Sequence, residues 1–374
     1  MSRFPRDDYR TLGRYVPDRR PVEVDLTDNT NLWGTHPAAL RVIREAGEET
    51  LSRYPDPYAG PVKQALSRRF GVPVENVCTG CGSDDILDAA FRAASSGSGR
   101  VRYPAPTFTM IPPFTSMNGH LDGAVPWSRA LADPEALLDG DPVLIYVCRP
   151  NNPTGHLVPR PWLEGLIGAV AKRGDEAPLL LVDEAYAEFS GDSLVLDAPR
   201  LRRVLVLRTL SKAFGLAGMR VGWAVGPTEV VDEVEKARGP YKVGRLAQSM
   251  AVAAIDDPEG WVRGVVADCL ESRSRLLSAL EERGLVPFPT AANFVFLPLE
   301  EGTASATALA LREQGVAVRP FGGTTEIGDG VRVTVGPWPI MERFLNALDR
   351  VREAAPNAWA VPDPALRLKA VGIA

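Results

Sequence analysis

Apolar runs too short to be helices alternate with segments of helical periodicity along most of this chain, and that alternation narrows the fold more than any other feature. The runs at 143–147, 179–182 and 204–207 are almost wholly Val, Leu and Ile, with a weaker counterpart at 76–79. Continuous apolarity, without polar residues at every second position, marks strands covered on both faces, as in a parallel sheet. Helical spacing is carried by 38–48, 62–70, 84–94 and 160–172. Such a rhythm predicts an α/β fold with a mainly parallel sheet flanked by helices. Ligands bind these sheets outside the carboxyl ends of the strands, so the residues just past each run are the first to consider.

A chain of 374 residues exceeds what one hydrophobic core holds, and its 45% hydrophobic content suffices for two. The expected organisation is an N-terminal arm at 1–35, a large domain at 36–258 and a smaller α/β domain at 259–355. A long helix at 259–283 bridges the two domains, and a tail follows at 356–374. Helices at 229–238, 246–255, 305–314 and 341–354 and strands at 293–297, 316–318 and 331–335 fill the later part. A net charge of −5 without a dense basic run argues against a nucleic-acid surface. Residues 1–10 lack the apolar core of a signal peptide, and no apolar stretch reaches the roughly 20 residues of a membrane span. No membrane contact and a cytoplasmic location are therefore expected. Cys78, Cys81, Cys148 and Cys269 form no disulfide framework. The C-x-x-C of Cys78 and Cys81 lacks a second Cys/His pair, and His36, His120 and His156 share no spacing, so no metal is expected. Both thiols of the C-x-x-C are placed at the phosphate-binding loop described next.

Lys212 lies in Thr209-Leu210-Ser211-Lys212-Ala213-Phe214-Gly215, just past the run at 204–207. A lysine, with an ordinary pKa of about 10.4, becomes a nucleophile only when burial or cationic company lowers that value. Arg220 offers a fork for a phosphate, and Thr209 and Ser211 add hydroxyls. That set suits a phosphorylated aldehyde, pyridoxal phosphate, held by Lys212 as a Schiff base. A surface lysine in a turn is the plain alternative. Asp183 ends the run at 179–182, where it could keep a pyridine nitrogen protonated or simply cap a helix. Tyr186 and Asn152 (in Asn151-Asn152-Pro153-Thr154-Gly155) could reach the ring's phenolic oxygen, although Asn, Pro and Gly are also ordinary turn residues. The Gly80-Cys81-Gly82-Ser83-Asp84 segment leads into a helix whose free amides suit an anion.

Together these residues resemble the class I/II aminotransferases of pyridoxal-phosphate fold type I, and within them the histidinol-phosphate aminotransferase group, over nearly the whole chain. The resemblance implies Lys212 as the Schiff-base lysine, Asp183 as the pyridinium partner, and Asn152 and Tyr186 at the phenolic oxygen. It gathers Gly82, Ser83, Asp84, Thr209, Ser211 and Arg220 about the phosphate and stacks Phe108, of Tyr103-Pro104-Ala105-Pro106-Thr107-Phe108, on the ring. Arg53-Tyr54-Pro55-Asp56 resembles the segment whose tyrosine reaches the neighbouring subunit's cofactor, which implies a homodimer. Val331-Arg332-Val333-Thr334 resembles the strand whose arginine grips the substrate α-carboxylate. Asn29-Thr30-Asn31-Leu32-Trp33-Gly34 departs from the group's Asn-Glu-Asn-Pro-aromatic-Gly at the substrate entrance, where Tyr15, Asn31 and Trp33 are further candidates.

The reaction so implied is amino-group transfer between an amino acid, or an amino alcohol phosphate, and a 2-oxo acid. Decarboxylation of an amino-acid phosphate or a cyclisation would use the same cofactor residues. A regulator that merely binds the cofactor would need a DNA-binding region that 1–22 is too short to supply, and the incomplete glycine pattern at 80–85 disfavours a nicotinamide enzyme.

Overall fold

A computed structural model describes residues 4–10 and 12–359, so the end of the expected tail, 360–374, lies outside the described residues. Its strands are β1 (Val24–Asp25), β2 (Val77–Cys81), β3 (Arg100–Ala105), β4 (Leu121–Pro126), β5 (Leu144–Cys148), β6 (Leu179–Asp183), β7 (Val204–Thr209), β8 (Val221–Val225), β9 (Phe294–Pro298), β10 (Val316–Ala317), β11 (Arg319–Phe321) and β12 (Gly330–Thr334). Seven of them form one sheet in the order β2-β8-β7-β6-β5-β3-β4. Every pairing from β7 to β4 is parallel, and β8 alone runs against its neighbours β7 and β2.

The apolar runs owe their continuity to burial on both faces. Ile145, Val147, Leu180, Val182, Val204 and Val206 join the core beneath the helices Gly60–Phe70, Arg160–Lys172 and Arg245–Asp256. Their alternates Leu144, Tyr146, Leu181, Leu205 and Leu207 join a second core beneath Ser83–Ala94 and Thr228–Arg238. Side chains two apart share a face, so one strand serves two layers.

The other strands sit apart. β11, β12 and β9 make a three-stranded antiparallel sheet, and β1 pairs in parallel with β10, bringing the N-terminal segment to the C-terminal part of the chain. The strand predicted at 316–318 ends at Ala317, where the chain leaves β1, and a separate strand not predicted, β11, begins pairing against β12 at Arg319. The helix predicted at 38–48 ends at Glu45, where Ala46 turns extended before Gly47, a weak helix former, and a new helix opens at Glu48. Trp261–Glu281 is the longest helix described. No helix among the described residues is long and apolar enough to cross a membrane.

Candidate active site

The carboxyl ends of β5, β6 and β7 and the start of the helix Ser83–Ala94 converge on one cavity. Ser83, Asp84, Phe108, Asn152, Asp183, Tyr186, Thr209, Ser211, Lys212 and Arg220 line it, joined by Cys148 and Ala185, which sequence reasoning had not singled out. Arg332 lies beside this set, hydrogen-bonded to Asn152. Tyr54, Tyr15, Asn31 and Trp33 are outside the lining.

Lys212 follows β7 in a turn closed by the Gly215 N–H donating to the Lys212 carbonyl at 3.1 Å. Its Nζ donates to the Asp28 carbonyl at 2.8 Å and has no carboxylate partner among the described residues. Burial, with the Arg332 charge second, lowers its pKa to about 8. Asp183 ends β6 and is buried. Its Oδ1 accepts from the Ala185 N–H at 3.0 Å and its Oδ2 from the Tyr146 hydroxyl at 2.7 Å, yet among the described residues no cation pairs with it. Burial raises it to about 6 despite these donors.

The turn after β5 is pinned by Asn151, whose Oδ1 accepts from Thr107 and whose Nδ2 donates to the Pro106 carbonyl and the Thr154 hydroxyl. That places Asn152 and Phe108 on adjoining walls. Tyr186 is buried with its ring edge on Phe294, 5.1 Å between centroids, and its oxygen accepts from Asn29 Nδ2 at 3.1 Å. Burial pushes the Tyr186 phenol up.

At the opposite end, Thr209 Oγ1 and Ser211 Oγ are 2.9 Å apart, and Arg220 Nη1 is 3.4 Å from Ser211 Oγ. Gly82 precedes the helix with φ +78°, and a Cβ there would come within 2.4 Å of Arg220 Nη2. The Asp84 carboxylate faces Arg220 at 3.5 Å, so what Asp84 can offer an anion is its main-chain N–H. Of the C-x-x-C, Cys81 is exposed, but Cys78 is buried in the core under Ser83–Ala94, its thiol pushed up to about 12 by burial; it does not belong to the loop as expected.

Arg332 is buried, with Nη1 donating to Asn152 Oδ1, Nη2 to the Thr27 carbonyl at 2.6 Å and Nε unpartnered. Burial first, and Arg319 among its neighbours, lowers its pKa. Arg319 sits directly opposite it on β11 and was not legible from the sequence, where it is one arginine of many. Asn29 was likewise missed: its side chain holds Tyr186, and its main chain bonds to Thr334 and Asn293. Asn31 spends its Nδ2 on the Ala213 carbonyl and its Oδ1 on the Trp33 N–H, tying the entrance segment to the Lys212 turn. Trp33 packs against the core, and Tyr15 is 56% exposed with the Arg319 guanidinium 5.6 Å from its ring. Tyr54 is 80% exposed beside Tyr241 and borders an open groove that shares Arg220 with the cavity.

A buried amine and a buried carboxylate on one cavity, at the carboxyl edge of a mainly parallel sheet with one reversed strand, define an enzyme of pyridoxal-phosphate fold type I. Residues 21–348 match the family described as aminotransferase class I and II. The chain is 33% identical over 354 residues to histidinol-phosphate aminotransferase 2 of Gluconobacter oxydans, covering 93% of this chain and 98% of that one. It is 37% identical over 338 residues to the aromatic amino acid aminotransferase of Thermobifida fusca, covering 87% and 91%. The crystal structure of histidinol-phosphate aminotransferase from Sinorhizobium meliloti in complex with pyridoxal-5'-phosphate superposes with a TM-score of 0.82 at 26% identity, covering 95% of this chain and 98% of that one. The chain belongs to the class I and II aminotransferase family, and its activity is pyridoxal-phosphate-dependent amino-group transfer.

Proposed function

We propose that this aminotransferase holds pyridoxal phosphate between Lys212 and Asp183 and takes an amino donor whose anionic group pairs with Arg332. One observation carries the cofactor assignment: a lysine and a carboxylate line the same cavity, and among the described residues the lysine pairs with no carboxylate and the carboxylate with no cation. Each is costly to bury alone, and a ligand with a carbonyl on one side and a basic nitrogen on the other relieves both. The hydroxyls of Thr209 and Ser211, the Arg220 fork and the amides at Ser83 and Asp84 form a cradle of donors suited to the phosphate. Asn152 and Tyr186 face the phenolic oxygen, and Phe108 offers its ring for stacking.

When bound, the cofactor supplies an aldehyde that captures an amine and a ring that draws electrons from the substrate Cα. Asp183 keeps a proton on the ring nitrogen. Lys212 Nζ, once free, takes the proton from Cα, a task for which an amine of pKa about 8 is suited. Arg332 orients the substrate through its anionic group, and Arg319, its cross-strand neighbour, places a second cation nearby. That pair favours a doubly charged phosphate, as in histidinol phosphate. An aromatic amino acid is the second reading, supported by the 37% identity to the Thermobifida relative.

We also take 36–258 and 259–355 as the two domains and the active form as a homodimer in which the exposed Tyr54 serves the neighbouring site. The test of substrate class is a screen of amino acids and amino alcohol phosphates, following the bleaching of the cofactor's visible band as it takes up the amino group. Histidinol phosphate should bleach it at the lowest concentration, and Arg332→Ala should raise that concentration about a hundredfold. Bleaching by no anionic amine, or an unchanged Arg332→Ala response, would overturn the assignment.

A further inference from the structure

Asp183 has both of its oxygens engaged, each by a neutral donor. Oδ1 accepts from the Ala185 N–H at 3.0 Å and Oδ2 from the Tyr146 hydroxyl at 2.7 Å. Tyr146 lies on β5 two residues before Cys148, which is the register partner of Asp183 on β6. Residues two apart share a face, so the phenol lies along the sheet face from which Asp183 projects, and the length of a tyrosine carries its oxygen to the carboxylate. The ring is fully buried among Leu144, Leu181 and Leu207. A phenylalanine would pack there as well, but it would leave Oδ2 without its donor.

We infer that Tyr146 is a positioning residue for the cofactor's ring nitrogen: its hydroxyl holds Asp183 Oδ2, keeping the carboxylate ionised and turned so that its remaining lone pairs meet the protonated pyridine. The inference rests on the pyridoxal-phosphate reading above. An ionised carboxylate in a dry interior persists only if donors share its charge. Neutral donors do so without neutralising it, whereas an Arg or Lys at position 146 would take the charge that the ring proton needs. Tyr146 also keeps its own proton, because burial first and the Asp183 charge second push the phenol well above its ordinary value. The other titratable groups about Asp183 include the Cys148 thiol and the Tyr186 phenol, both held protonated by burial, the Asp84 and Glu184 carboxylates, and Lys212 across the cavity. None of them donates to Oδ2.

The experiment compares the affinity of the apoenzyme for pyridoxal phosphate with that for the analogue carrying C–H in place of the ring nitrogen, in wild type and in Tyr146→Phe. The analogue cannot pair with Asp183, so an effect transmitted through Asp183 is invisible to it. The variant should lose about tenfold in affinity for pyridoxal phosphate and less than about twofold for the analogue. Equal losses for both ligands, as a merely structural bond would give, or no loss for the cofactor, would overturn the inference. A second arm needs no variant: with 13C-labelled tyrosine at position 146 in wild type, the Cζ resonance should differ between the two loaded forms, and coincident resonances would also overturn it. Wild-type protein that bound neither compound would instead bring down the cofactor reading itself.

Discussion

Lys212 is a lysine that the folded chain holds at a cost. Its pKa falls from 10.5 to about 8, chiefly through burial. Because the folded value lies below the unfolded one, the folded state sheds this proton first as pH rises, so stability is lowest below pH 8 and recovers between about 8 and 10.5. The apoenzyme of Lys212→Met should therefore exceed wild type in stability by up to about 3 kcal/mol at pH 7. Denaturant titrations of both proteins should show that gain vanish above about pH 10.5. A gain that did not change with pH would mean that Lys212 is not buried as a charge in the absence of cofactor. Asn29 works the other way, by satisfying its neighbours: its amide N–H points at the Tyr186 oxygen, so the phenol's own hydrogen is left to face the cavity.

At the scale of elements, the site depends on the reversed strand β8 lying tight against the start of the helix Ser83–Ala94. A Cβ at Gly222 would stand 2.2 Å from the Ser83 nitrogen and 2.3 Å from the Gly82 carbonyl carbon, main-chain atoms that cannot swing aside. Gly222→Ala should lower stability by about 3 kcal/mol and release the cofactor readily. A thermal melt with the cofactor's absorbance followed in parallel tests this, and a variant of wild-type stability that retained its cofactor would refute the tight packing. The same glycine explains why β8 was not anticipated. Val221-Gly222-Trp223-Ala224-Val225-Gly226 reads as glycine-punctuated loop until the close approach that requires Gly222 is known. β4 was missed because this edge strand alternates exposed and buried residues, with Leu121 51% exposed and Asp122 and Gly123 interrupting its apolar character. The buried central strands β5, β6 and β7, by contrast, fell where continuous apolarity put them, and so the residues just past them could be named in advance. Asn29, Tyr146 and Arg319 escaped because they act through side-chain partners far away in sequence, which local pattern does not encode. A lone tyrosine in Leu144-Ile145-Tyr146-Val147 was nonetheless a signal, since a buried phenol needs a partner for its hydroxyl.

For the molecule as a whole, the groove bordered by Leu51, Tyr54, Cys81, Met219, Lys242 and Leu246 opens beside Arg220, and Leu51 and Tyr54 are each at least 80% exposed. If Tyr54 serves the neighbouring site, then mixing Tyr54→Ala and Lys212→Ala chains should restore activity that neither possesses fully. Random pairing makes half of the dimers hybrid and half of their sites intact, so about one quarter of all sites should work as in wild type. Subunit exchange followed by a turnover assay checks this. A mixture no more active than the mean of its parents would place Tyr54 in its own chain's site or outside any site.

Strand β12 delivers both Arg332 and Thr334 to residues that follow β1: Arg332 donates to the Thr27 carbonyl, and Thr334 bonds to Asn29, which in turn holds Tyr186. Arg332 thus takes its place only when β12 closes over groups that lie some three hundred residues earlier in the chain. If Lys212 and Arg332 act as proposed, a polypeptide ended before β12 would carry the amine at 212 without the guanidinium that grips an amino acid.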